Sequence, residues 1–246
     1  MRLWISVGAC LLLAVGVVGS GAVAAPPGAG SCSGGAIAAG TYNGLTVTGN
    51  CTFAGRSVTV DGNLVVADGA ALNDHDATKA NVHVTGNVLV GKGAVIGLGD
   101  YVPAHNLATV DGNVIANEPL TLYLGGMTVQ GNVISNGGSG PDRNFPIKDN
   151  TIGGNLILQG WSGLWLGALR NHVGGNVIVS NNTGTQTGDE GAFVGVPDSN
   201  EVVSNTISGN LICHDNTPAA QIGDAALEGG GPNTVDGNKI GECAGL

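Results

Sequence analysis

Charge and aromatic rings are what this sequence has least of. Of its 246 residues, 11% are Asp, Glu, Lys or Arg and 4% are Phe, Trp or Tyr. An ordinary globular α/β core is built from bulkier side chains than these. Basic residues are scarcer still: 8 Lys and Arg stand against 18 Asp and Glu, a net charge of −10. That balance excludes a basic patch able to hold nucleic acid or an anionic membrane surface, and it leaves cations, neutral glycans and basic partners open. No C-x-x-C pair occurs, which argues against a zinc site.

What is abundant is glycine, 45 residues in all. The chain starts with Arg2, an apolar run from Leu3 to Val18, and small residues ending Ala22-Val23-Ala24. The run is short, and Gly8, Gly16 and Gly19 interrupt it or lie just beyond it, so residues 1–24 read as a cleaved export signal rather than a membrane anchor. No membrane span is expected after cleavage, and Cys10 leaves with the leader. The expected location is secreted or extracellular, at the cell wall in one version. Cys32, Cys51, Cys213 and Cys243 remain, an even number in an oxidising compartment. Three pairings are open to four cysteines. A rod-shaped fold keeps its ends apart and therefore favours Cys32 with Cys51 and Cys213 with Cys243.

The rod is inferred from a repeat. Gly-Asn followed by a short apolar run occurs at Gly62-Asn63, Gly86-Asn87, Gly112-Asn113, Gly131-Asn132, Gly154-Asn155, Gly175-Asn176, Gly209-Asn210 and Gly237-Asn238. Successive copies are 24, 26, 19, 23, 21, 34 and 28 residues apart, the spacing of one solenoid coil with loops of variable length. The stretch before each copy repeats as well, as in Asn150-Thr-Ile, Asn171-His-Val, Asn205-Thr-Ile and Asn233-Thr-Val. Glycine at the corner is expected to supply positive φ. Each asparagine is expected to sit above its copy and hydrogen-bond up the rod as a ladder. Ile, Val and Leu alternating with polar residues give strands with one inward face. A left-handed hexapeptide helix would need a strict six-residue period, approached only from Val88 to Leu98, and a β-sandwich would need larger core residues. The predicted fold is all-β: a right-handed parallel β-helix of about eight coils with disulfide-stapled ends. Residues 25–44 are the expected linker and N-terminal cap, and residues 45–246 the helix with its C-terminal cap. Apart from the leader, only Ala219–Leu227 suggests a helical turn.

This pattern resembles the right-handed parallel β-helix superfamily of pectate lyases, polygalacturonases and non-catalytic carbohydrate-binding repeat domains, over roughly residues 45–243. Coil period and corner asparagine carry the resemblance, and neither is an active-site motif. The polygalacturonase likeness would imply Asp-Asp and Gly-His-Gly segments, which are absent. The arginine signature of pectate lyases is absent too, since only Arg56, Arg143 and Arg170 follow the leader. The phrase Val88–Gly97 is similar to the bactofilin polymers.

Chemistry in such a fold belongs to loops and the face they border. Asp74 and Asp76, Asp100, Asp142, and Asp189 with Glu190 fall 10 to 14 residues after a corner asparagine. In register they would line one flank, as carboxylates for Ca²⁺ or for glycoside hydrolysis. Asp142, Arg143, Asp189 and Glu190 are the catalytic candidates, and Asp74, Asp76 and Asp100 the metal candidates, His75 and His83 flanking the same loop. The bland alternative is that loop acids keep a Gly-rich rod soluble. Trp161 and Trp165 are candidate sugar platforms or, equally, core fillers. Thr residues sit singly beside corners, unlike the flat arrays of ice-binding surfaces. The expected function is a non-catalytic surface contacting carbohydrate or protein, with a polysaccharide or cell-surface component as partner. A polysaccharide lyase or hydrolase with an acidic groove is the alternative. Ca²⁺ is the one cofactor considered, and nothing in the sequence sets the oligomeric state.

Overall fold

The computed structural model describes residues 28–54, 57–73, 80–100, 108–188, 191, 194–227 and 229–246. The expected leader and Asp74, His75, Asp76, Asp189 and Glu190 lie outside the described residues. The chain winds as a parallel β-solenoid with three stacked sheets of ten, nine and nine strands. Almost no helix accompanies them: two short 3-10 turns, Gly223–Ala226 and Glu242–Gly245, are described, the first inside the stretch expected to turn.

Coil number departs from the expected eight, because the first sheet stacks ten strands. Its first two, Gly30–Cys32 and Leu45–Val47, precede the Gly-Asn copies and pair in register with each other, and the second pairs in turn with Leu64–Val66. The N-terminal cap is therefore itself a rung of the stack. Counting a corner motif misses coils whose corner is built differently, here by Asn43-Gly44 instead of Gly-Asn.

Alternation fixes what lies inside. In Val88–Val90 the two valines are buried and Leu89 faces out, and the strands on either side repeat this pattern in register. One continuous cluster of buried aliphatic side chains runs through the rod, with Phe53, Phe145 and Trp161 among its largest members.

The Gly-Asn corner works differently from expectation. Of the eight corner glycines only Gly62 has positive φ, +120°. The others are required by close approach: a Cβ on Gly112 would stand 2.4 Å from the carbonyl oxygen of Gly86 and 2.7 Å from Asn87 Oδ1. Coils stack so tightly here that no side chain fits between them. Positive φ instead falls at other corners, on residues preceding buried asparagines: Asp149, Arg170 and Ser204 at +54° to +59° before Asn150, Asn171 and Asn205. Arg170 Nε and Nη2 donate to Asp149 Oδ1 and Oδ2 at 2.6 and 2.8 Å, pairing two such corners from adjacent coils.

Three amide ladders follow. The exposed-to-half-buried one climbs from Asn63 to Asn238, each backbone N–H donating to Oδ1 of the preceding coil's asparagine at 2.8 to 2.9 Å. The second is buried and runs the opposite way: the backbone N–H groups of Asn150, Asn171 and Asn205 donate to Oδ1 of Asn171, Asn205 and Asn233. The third joins Trp161 N–H, Asn182, Asn216 and the Glu242 carboxylate. Ladders let each corner satisfy polar groups that the stack buries.

The disulfides close the ends as the rod argument required, Cys32 to Cys51 and Cys213 to Cys243, with Cα atoms 6.4 and 5.3 Å apart.

Candidate functional site

The three outward sheet faces differ in chemistry. On the first, one residue per coil stacks into a row of Val65, Leu89, Ile115, Ile134, Ile157, Ile178, Ile212 and Ile240. All but the terminal Ile240 are half-buried, because each shields its neighbour, and Ile240 is 45% exposed. On one side of the row lie the corner asparagines; on the other lie Asn117, Asn136, Gln159, Ser180 and His214. Ala67 and Gly91 take the place of those longer side chains earlier on, and there a shallow cavity of about 230 Å³ opens beside Val65, Leu89 and Ile115. From Leu45–Val47 to Leu211–His214, no strand of this sheet carries Asp, Glu, Lys or Arg.

The third sheet presents a threonine column that the sequence reading placed singly at corners. Thr41, Thr59, Thr109, Thr128, Thr151, Thr206 and Thr234 stack in one register with His83 and His172. The neighbouring outward positions include Asp61, Asp111 and Asp236, all exposed. His83 Nε2 lies 2.9 Å from Asp111 Oδ2, so this histidine sits against a carboxylate on the rod's flank.

The expected site residues scatter. Asp142 and Arg143 are exposed on the long strand Ser139–Lys148, where the pairing shifts register between Gly140 and Asn144. Asp100 is 7% exposed, its backbone N–H donating to Gly125 O at 2.8 Å. With Asp74, Asp76, Asp189 and Glu190 outside the described residues, no acidic flank is assembled from the rest. Trp161 and Trp165 are 1% and 7% exposed and present no ring face to a sugar. Trp161 packs on Phe145 at 5.1 Å between ring centroids and donates to Leu120 O, because the thin core needs bulk at that coil. Trp165 donates through Nε1 to Glu201 Oε2 at 3.1 Å, with Lys148 Nζ 4.7 Å from its ring centre.

A different acidic cluster is built by tertiary structure. The chain leaves the second sheet after Thr183–Gly184 and returns as Glu201–Val203, both segments pairing with the one long strand Ser162–Leu169. At the base of this insertion Asp198 and Glu201 are 0% and 2% exposed, and the turn Gly223–Ala226 of the next coil brings Asp224 to them. One carboxylate oxygen from each lies within 4.8 Å of the others. The backbone N–H of Asp224 donates to Asp198 Oδ1, and that of Ala225 to Glu201 Oε1. Burial pushes the Glu201 carboxyl up to about 7, the Asp198 and Asp224 charges push the same way, and the Ala225 N–H and Trp165 indole oppose them. These three residues escaped the sequence reading because Asp198 and Glu201 stand where an insertion rejoins the sheet and Asp224 comes from another coil. The 34-residue gap between Gly175 and Gly209 was the available signal.

No protein-family model, curated protein or solved structure matches the chain in comparison.

Proposed function

We propose that this chain is a non-catalytic extracellular surface protein, secreted through residues 1–24, whose first sheet binds an extended uncharged polysaccharide lying along the rod. The observation that supports the reading is the aliphatic row on strands that carry no Asp, Glu, Lys or Arg from Leu45–Val47 to Leu211–His214, within a chain of net charge −10. The apolar C–H faces of sugar rings suit a row of isoleucine methyl groups, and hydroxyls suit flanking amides, each of which holds donors and acceptors. Hydrogen-bonded strands repeat at about 4.8 Å, so the face offers equivalent contacts at a fixed spacing and gains affinity by summation along a polymer. A non-catalytic member of the pectate-lyase-like β-helices is the evolutionary reading that accompanies this one. The lyase or hydrolase alternative draws on Asp142 and Arg143, which make no ion pair among the described residues.

The test is co-sedimentation of the oxidised protein with insoluble neutral and acidic polysaccharides, with Ile157→Lys and Ile178→Lys against the control Thr151→Lys on the third sheet. Binding to neutral polymers that both isoleucine variants lose and the control keeps supports the reading. Binding that all variants keep, or cleavage of any polymer, refutes it.

A further inference from the structure

We propose that Asp198, Glu201 and Asp224 form a Ca²⁺ site that fastens residues 198–201 to the turn Gly223–Ala226 of the following coil. The inference stands apart from the sugar-binding reading, since the site lies off the first sheet. Ca²⁺ gathers six to eight oxygens at about 2.3 to 2.6 Å. Oxygens sharing one such ion are separated by at most about twice that distance, and the three carboxylate donors here lie within 4.8 Å of one another.

The second observation is an unsatisfied oxygen. Asp198 is fully enclosed, and its Oδ2 has no hydrogen-bond partner. Asn200 Oδ1, two residues on and equally enclosed, has none either. A buried carboxylate oxygen without a partner is costly, and a second carboxylate beside it adds repulsion. Asp198 Oδ1, Glu201 Oε1 and Glu201 Oε2 accept from the Asp224 N–H, the Ala225 N–H and the Trp165 indole, none of which carries a charge. Gly223 keeps the space open: with φ +60°, it approaches so closely that a Cβ would fall 2.2 Å from both Asp198 Oδ1 and Glu201 Oε1. The donor set is oxygen alone, which selects a hard cation over Zn²⁺, and the acids come from two coils, so the ion cross-links them.

The experiment uses the full secreted protein, oxidised and stripped with chelator. Ca²⁺ is expected to raise its melting temperature more than Mg²⁺ does. Tb³⁺ is expected to luminesce through Trp165, whose Nε1 is 3.1 Å from Glu201 Oε2. Asp198→Asn with Glu201→Gln removes both responses while the strand circular dichroism persists. Asp224→Asn, on a half-buried turn whose loss leaves the stack intact, weakens Ca²⁺ at least tenfold. Trp165→Phe abolishes the luminescence and keeps the Ca²⁺ shift. A wild-type protein with neither response overturns the site, as does a response that survives in Asp224→Asn and the double variant alike.

Discussion

Glu242 accepts hydrogen bonds from both the backbone N–H and the side-chain amide of Asn216, at 2.9 and 2.8 Å, and so ends an amide ladder with a carboxylate. A third bond comes from the Ala220 N–H at 2.9 Å. An internal rung passes its unsatisfied donors to the next asparagine; here the acceptor-only carboxylate of Glu242 takes that asparagine's place and serves both donors. Burial pushes the Glu242 carboxyl up, but the hydrogen bonds from Ala220 and Asn216 outweigh it and hold the group below its ordinary value of 4.5. A depressed carboxyl contributes stability that is fully present above the unfolded value and is lost as pH falls through the folded one. Thermal melts from neutral to acid pH should therefore show wild type more stable than Glu242→Gln by about 1 kcal/mol at neutrality. That difference should close as Glu242 protonates; one that is constant with pH contradicts the cap.

Asparagines in the buried and outer ladders should not be equivalent. Asn171 is 0% exposed, accepts from Asn150, and donates to Asn205 and to Ile147 O at 2.8 Å. Asn171→Ala strands those groups away from water and should cost about 3 kcal/mol or more in denaturant unfolding. Asn87→Ala, on the half-exposed ladder, should cost about 1 kcal/mol because water replaces the lost partner.

Glycine substitutions separate close approach from backbone conformation. Gly112→Ala drives a methyl group onto Gly86 O and should destabilise by about 1 to 3 kcal/mol although φ is ordinary. Gly231→Ala meets nothing within 4 Å and requires no positive φ. It should be neutral or stabilise by up to about 1 kcal/mol. Equal melting temperatures for the two variants would show that the corner is loosely packed.

Removing either disulfide should fray the rod from its own end. Cys213→Ser with Cys243→Ser opens a loop closed over 30 residues and should cost about 2 to 4 kcal/mol. Hydrogen exchange should then speed up first in Lys239–Gly241 and Leu211–His214, with Gly30–Cys32 unchanged. Loss of Cys32–Cys51 should give the mirror-image pattern. Uniform acceleration in both would mean the coils melt as one unit.

How much was readable follows from how far each interaction reaches along the chain. The Gly-Asn period and the inward Val and Leu are repeated local patterns that any one coil displays, so the solenoid and its first ladder were legible, and the disulfide pairing followed from the rod they imply. The role of the corner glycine was not, because Gly112 answers to Gly86 O, an atom in another coil. The threonine column escaped notice for the same reason: loops of unequal length hide the register of Thr109 with Thr128. Trp161 and Trp165 stood open as platforms or fillers until the packing of Phe145 and the Glu201 carboxylate turned both inward.

By itself, then, the sequence determined what each coil repeats: a glycine corner, an asparagine, an apolar strand, and a composition too poor in bulk for any other core. Tertiary stacking decided what single residues do. It aligned Val65, Leu89 and then an isoleucine from each later coil into one aliphatic row, and it joined Glu201 to Asp224 across the 22 residues between them. Identity along the chain specifies a strand's inner face, but proximity between coils exists only once the loops between them have been closed.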